Sequence, residues 1–161
     1  MMVDVLGYIP AFSKGVRDLI VPIQQAEFGI DITYDDQPDL QDIPGFYQNG
    51  TGNFWVVVDG VEVVGTIALK DIGNGQAALR KMFVAESHRG RDKGVAAELL
   101  QTLLGHARMT RLQTIYLGTT PQFKAAHRFY EKHGFEQIAP ETLPEAFPRM
   151  AVDTRFYRLT L

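Results

Sequence analysis

The stretch His88-Arg-Gly-Arg-Asp-Lys-Gly-Val-Ala-Ala-Glu-Leu-Leu100 constrains this chain more than any other. It follows an apolar run at residues 79–84 that reads as a strand, and it leads into residues 93–108, which read as an amphipathic helix. A strand, a basic glycine-containing turn and a helix start together build an anion site. The first turn of a helix leaves backbone N–H groups without partners, and its dipole favours negative charge. Gly90 and Gly94 let backbone approach a ligand where a side chain would intrude. Arg89, Arg91 and Lys93 add positive charge around the same turn. The ligand implied carries phosphate, a pyrophosphate by preference. The bland alternative is a solvated basic loop that caps a helix.

Two familiar phosphate loops are excluded. No G-x-x-x-x-G-K-[ST] occurs. Gly73-Asn-Gly-Gln-Ala-Ala78 loosely fits the dinucleotide fingerprint, but it leads into a strand where that motif must open a helix. It fits a hairpin turn better. The net charge of −3 provides no global field to draw the protein to nucleic acid, so the cations at 89–93 are a local feature. The absence of cysteine excludes disulfides, thiolate metal sites and a cysteine nucleophile, and no metal is expected. No apolar run is long enough to span a bilayer, and the N-terminus has no signal-peptide core. The expectation is a cytoplasmic protein with no membrane or nucleic-acid partner.

Along the chain, residues 3–9 read as a strand and Ser13 as the N-cap of a helix running to 28, bent or restarted at Pro22. A short helix is expected around 40–48. Residues 54–58 and 61–69 flank Asp59-Gly60, a hairpin signal, and Gly73-Asn74-Gly75 turns the chain into a third antiparallel strand at 76–84. A strand at 114–117 follows the helix at 93–108. Pro121 opens another helix to His133, stopped by Gly134, and residues 155–161 read as a last strand. This order gives an α+β mixed sheet with helices on its faces, in one domain spanning 1–161.

Arg91-x-x-Gly94-x-Ala96 matches the Gln/Arg-x-x-Gly-x-Gly/Ala signature of the GNAT acetyltransferase superfamily. Ala125-Ala-His-Arg-Phe-Tyr-Glu-Lys-His-Gly-Phe135 resembles that superfamily's later helix-and-turn segment. The two occur in the superfamily's order, and the resemblance covers residues 53–138. It implies a GNAT-like, mostly antiparallel central sheet and an N-acetyltransferase that moves acetyl from acetyl-CoA to the primary amine of a small molecule or protein. It also implies a splayed strand pair, here 82–84 against 114–117, that accepts pantetheine like another strand. Met82, Phe83 and Val84, with backbone groups at Phe83 and Val84, would hold the arm. Arg89, Gly90, Arg91, Asp92, Lys93, Gly94, Val95 and Ala96 would hold the pyrophosphate, and Ala126 and Phe129 would complete the cofactor site. A homodimer is compatible with this reading.

Tyr130 is the candidate general acid for the departing thiolate; its alternative is a core aromatic beside Phe129. Three positions depart from the family pattern. Phe123 stands where the family often has Asn, Asp92 where it often has Gly, and Ala78 where many relatives carry a glutamate base. No base is assigned; Glu62, Glu86, His127 and His133 are weak candidates beside a water relay or no dedicated base. Tyr34, Asp35, Asp36, Phe46 and Tyr47 could line a pocket for a cationic amine or form a solvated loop. A non-catalytic acyl-CoA-binding sensor or interaction domain of the same fold is the competing function.

Overall fold

Asn53-Phe-Trp-Val-Val-Val-Asp59 has apolar side chains at five successive positions, the pattern of a strand buried on both faces. The computed structural model, which describes residues 4–121 and 124–161, places it inside a sheet. Phe54 and Val56 enter one apolar layer, and Trp55 and Val57 the opposite one. The strands are β1 (Asp4–Gly7), β2 (Asn53–Asp59), β3 (Glu62–Gly73), β4 (Gln76–Val84), β5 (Thr114–Thr119), β6 (Glu136–Ile138) and β7 (Arg155–Thr160). They form one sheet in the order β1-β2-β3-β4-β5-β7-β6, antiparallel throughout except for the parallel pair β4 and β5.

The helices are α1 (Ser13–Pro22), α2 (Pro38–Gln41), α3 (Ile43–Phe46), α4 (Val95–Met109) and α5 (Lys124–Lys132). One face of the sheet is covered by α4 and α5. Leu99, Leu100 and Leu103 are fully buried there, each contributing about 1.5–3 kcal/mol through burial. Tyr130 and Phe135 extend the same layer. On the opposite face, α1 to α3 cover the β1–β3 half through Val16, Ile20, Ile43 and Tyr47. Phe147, from the segment between β6 and β7, covers the rest against Ala78, Tyr116 and Phe156. The expected mixed sheet with helices on both faces is present. No helix among the described residues is long and apolar enough to cross a membrane.

Several local expectations change. β1 is shorter than 3–9, and residue 3 lies outside the described residues. Ser13 does not cap a helix. A 3-10 turn, Pro10–Phe12, precedes α1, so Ser13 is already its first helical residue. Pro22 lacks the N–H needed to continue the ladder, and the chain widens into a π-helical turn, Ile23–Glu27, closed by Phe28 N–H on Ile23 O (3.2 Å). The single helix expected at 40–48 is two short ones, because Asp42 leaves helical geometry and caps the second by accepting from Gly45 N–H (3.1 Å). β6 and the segment that follows it were not anticipated.

α5 ends as Gly134 suggests. Phe135 N–H bonds Tyr130 O (3.0 Å) and Gly134 N–H bonds Glu131 O (3.2 Å). These are the paired closing bonds of a Schellman turn.

Candidate active site

β4 and β5 pair only over Gln76–Ala78 with Thr114–Tyr116, then separate. The opening therefore lies one step further along than expected: 114–116 are paired, and the slot runs between residues 79–84 and 117–119. Ala85 N–H bonds Val64 O (2.8 Å), so by alternation Phe83 turns its backbone groups toward β3 while Met82 and Val84 turn theirs into the slot. Of the two residues expected to offer backbone groups, Val84 does and Phe83 does not. Val84 O currently accepts from Arg89 Nε (2.8 Å), and the Arg89 guanidinium also pairs with Glu27 (2.7 Å).

The slot widens at one end into a groove of about 630 Å³ between the 88–94 turn, α4 and α5. Gly94 stands before α4 with φ +71°, a left-handed conformation that only glycine adopts cheaply, and a Cβ there would point into open space. No side chain caps α4. Glu98 N–H bonds Gly94 O (3.0 Å), so the amides of Val95, Ala96 and Ala97 begin the helix without intrahelical partners.

Met82, Phe83 and Val84 line this groove, as do Arg89, Gly90 and Arg91 from the turn. Gly94 and Ala96 at the helix start, and Ala126 and Phe129 on α5, also line it. Asp92, Lys93 and Val95 do not. Val95 packs its side chain into the core, so only its amide is available. Lys93 turns back to donate to Ser87 O. Asp92 does not cap α4, and its carboxylate lies beside Gly90, where a Cβ would meet Oδ1 at 2.9 Å. Arg128 and Lys132, not expected, add two cations from α5. Their i, i+4 spacing on a face shared with Ala125 was a readable signal.

At the other end lies a smaller cavity of about 130 Å³, also lined by Met82, Phe83, Ala126 and Tyr130. These four residues thus sit where the two spaces meet. Tyr130 is 6 % exposed; its hydroxyl reaches Met82 Sδ at 3.5 Å, and burial raises its pKa. The phenol is both core aromatic and junction residue.

None of the weak base candidates faces this junction. His127 is buried, with Nε2 3.0 Å from Thr120 O and Nδ1 3.3 Å from Arg155 Nη1. This arrangement fits a neutral ring that donates to Thr120 and accepts from Arg155. Burial lowers its pKa. His133 lies in the cofactor groove with Nδ1 2.8 Å from Phe129 O. Glu62 is exposed at the start of β3, and Glu86 lies in the turn after β4. Ala78 is fully buried. Phe123 lies outside the described residues.

Tyr34, Asp35, Asp36, Phe46 and Tyr47, read from sequence as either an amine pocket or a solvated loop, line neither of the two spaces. Tyr47 is fully buried and donates to Asp39 (2.6 Å). Tyr34 lies under Arg17, and Phe46 under Lys70. Asp36 accepts from Thr33 N–H (3.0 Å) to close a turn, and Asp35 is exposed.

The small cavity is lined instead by Gln24, Arg80, Lys81, Thr119, Thr120 and Asp153, residues that sequence reasoning missed. Lys81 has φ +51° at a bulge where β4 spends one more residue than β3. Its ammonium donates to Gln37 Oε1 (2.6 Å) and lies 3.5 Å from Asp39, and burial lowers its pKa despite that carboxylate. Asp153 leans over Gly118, where a Cβ would meet its Oδ2 at 2.6 Å; burial raises its carboxyl pKa.

Comparisons with known proteins bear on the family and the fold. A family model described as Acetyltransferase (GNAT) family matches residues 17–135. A GNAT-family acetyltransferase from Staphylococcus aureus Mu50 superposes with a TM-score of 0.93 at 35% identity, covering 99% of both chains. An acetyltransferase from Streptococcus agalactiae 2603 gives 0.92 at 32% identity, covering 99% of this chain and 98% of that one. The N-acetylaspartate synthetase of Xenopus tropicalis is 34% identical over 134 residues, 76% of this chain and 48% of that protein. The chain thus spans about half or less of the first curated relatives it matches. With the family model covering both motif stretches and the fold shared end to end, this chain belongs to the GNAT acetyltransferase family.

Proposed function

We propose that the chain acts as one unit, an N-acetyltransferase that moves acetyl from acetyl-CoA to a primary amine. The observation that carries this reading is the continuous slot between β4 and β5. It joins an uncapped helix start and cationic groove at one end to a buried phenol at the bend. The pyrophosphate fits the α4 amides with Arg91 and Arg128. The unpaired β4 edge at Met82 and Val84 suits the amides of the pantetheine arm, as an added strand would. Arg89 must then release Val84 O. The donor supplies an activated acetyl group as a thioester, and every other contribution is the protein's own.

Tyr130 holds its proton at any ordinary pH, because burial opposes the phenolate. It therefore acts as a hydrogen-bond and proton donor toward the departing sulfur. The burial of Tyr130 itself lowers the local dielectric and strengthens that donor.

Calorimetry with CoA and acetyl-CoA, followed by CoA release against an amine panel, tests the proposal. The expected result is binding of both ligands with similar affinity and amine-dependent CoA release. Binding without release by any amine would assign the protein to the sensor class, and absence of binding would overturn the reading altogether.

A further inference from the structure

The small cavity carries a pattern of charge that the transferase chemistry alone does not explain. Lys81 is matched by Asp39, so that buried pair is neutral as a unit. Arg80 and Asp153 are different. The ion pairs formed among the described residues give neither of them a partner. The Arg80 guanidinium has the neutral Tyr47 hydroxyl as a hydrogen-bonding companion, with Met150 Sδ at 4.0 Å and the Phe46 ring at 5.7 Å. These are weak or neutral groups. Asp153 has a backbone hydrogen bond at Met150, and it feels the charges of Arg80, Arg149 and Lys81 without an ion pair to any of them. The buried hydroxyls of Thr119 and Thr120, two further lining residues, have no hydrogen-bond partner within the protein.

A half-buried cation and a half-buried carboxylate that face one cavity without pairing form the complement of a zwitterion. Leaving both unmatched is costly unless a ligand completes them. We infer that the acceptor is a free amino acid, with Arg80 and the threonine hydroxyls holding its carboxylate and Asp153 receiving its ammonium group. This rests on the acetyltransferase reading above and deepens it. Asp153 lines the same cavity as Tyr130, so an amine there lies beside the junction where the thioester ends.

The proton inventory closes. The ammonium gives one proton to Asp153, the freed nitrogen forms the C–N bond with the thioester carbonyl, and the C–S bond breaks. The sulfur leaves as a thiolate held by the Tyr130 hydroxyl, and the nitrogen's second proton reaches it along that hydrogen bond, so the phenol ends as it began. Asp153 then returns its proton to solvent, so one proton is released per acetyl transferred. Burial favours the carboxyl form of Asp153 relative to an exposed aspartate, which makes it a stronger base for this step.

The test compares the twenty proteinogenic amino acids with their α-amides and decarboxylated amines, reading CoA release by the unmodified protein. In parallel, the same amino acids are titrated calorimetrically into the CoA-bound protein. For the preferred side chain, the acid should exceed its amide in kcat/KM by on the order of 100-fold, the effect of a charge-assisted pair. Arg80→Gln should reduce that ratio to below about tenfold, mainly through KM, while Asp153→Asn should lower kcat. CoA release in which amides or simple amines match the acids would overturn the acceptor class and leave the transferase reading intact. Absence of turnover with every amine would overturn the transferase reading. Amino-acid binding that is lost in Arg80→Gln would still support the zwitterion site in that case, and absence of such binding would overturn it.

Discussion

Replacing Tyr130 by Phe removes one hydroxyl and leaves the ring contacts with Phe129, Phe135 and Tyr157 in place. The hydroxyl's partner in the fold is a thioether sulfur at 3.5 Å, a weak acceptor. The protein should therefore lose less than about 1 kcal/mol of stability, and the affinity for acetyl-CoA should scarcely change. The catalytic effect is different. A phenol whose pKa is raised by burial is a weaker acid than the thiol it must help form, since an ordinary thiol has a pKa near about 8.5. Full proton transfer is uphill, so most of the benefit is a hydrogen bond to charge that develops on sulfur. Removing one such preorganised donor from a dry site costs about 10²–10³ in rate, or about 2.7–4 kcal/mol. The general-acid range of about 10²–10⁴ sets the upper bound.

The assay is a single-turnover measurement with acetyl-CoA bound and acceptor in excess, which removes slow product release from the comparison. The loss should appear in the rate constant and not in binding. The basic limb of the unmodified protein's pH profile should show no tyrosine ionisation in the ordinary phenol range, because burial moves Tyr130 above it. Equal single-turnover rates for the two proteins would refute the reasoning and leave Tyr130 as a packing residue.

Arg91→Ala and Arg128→Ala should each weaken CoA binding by about tenfold at low ionic strength, about 1.4 kcal/mol, and by less in high salt. Calorimetry showing unchanged affinity would move the phosphates elsewhere. Lys81→Met leaves Asp39 and Gln37 buried without their cation and should cost about 3–5 kcal/mol in urea unfolding. A loss below about 1 kcal/mol would show the network to be dispensable. Asp153 has a folded pKa above its unfolded value, so the folded state binds the proton more tightly and stability falls as pH rises through that window. Asp153→Asn should accordingly raise Tm at pH 7 and make no difference in acid below the unfolded value; an unchanged or lower Tm at pH 7 contradicts this.

The uncapped helix start was legible because its signals are local. Gly94 and the helix that follows are adjacent in sequence, and the unpartnered amides are their own backbone. Gly134 ends α5 with its own bond to the residue three positions earlier and that of Phe135 to the residue five earlier. Where local signals were misread, a neighbour decided the outcome. Ser13 is a good cap by type, yet Pro10 had already started a turn before it. Asp92 and Lys93 belong to the right loop by charge, but side chains in a tight turn point outward or back along the chain, and these two do so. Val95 shows the limit of assigning a residue as a unit: its amide begins the helix without an intrahelical partner while its side chain packs in the core.

The residues of the small cavity were not legible because their placement depends on a break in periodicity. Alternation along residues 79–84 would put Leu79, Lys81 and Phe83 on one face and Arg80, Met82 and Val84 on the other. The extra residue at Lys81 reverses the phase midway. Leu79, Met82 and Val84 consequently pack toward α4, while the consecutive cations Arg80 and Lys81 both turn to the opposite side. A bulge beside an active site commonly re-aims a side chain in this manner. The clue available was the conflict itself: a lysine set among apolar residues in a strand too buried to solvate it. Asp153 offered no comparable clue. Its place depends on the 139–154 segment crossing the sheet and on Gly118 lacking a Cβ, which would otherwise stand 2.6 Å from the carboxylate. The two unpaired charges of the small cavity thus come from a phase shift in one strand and a missing side chain in the next.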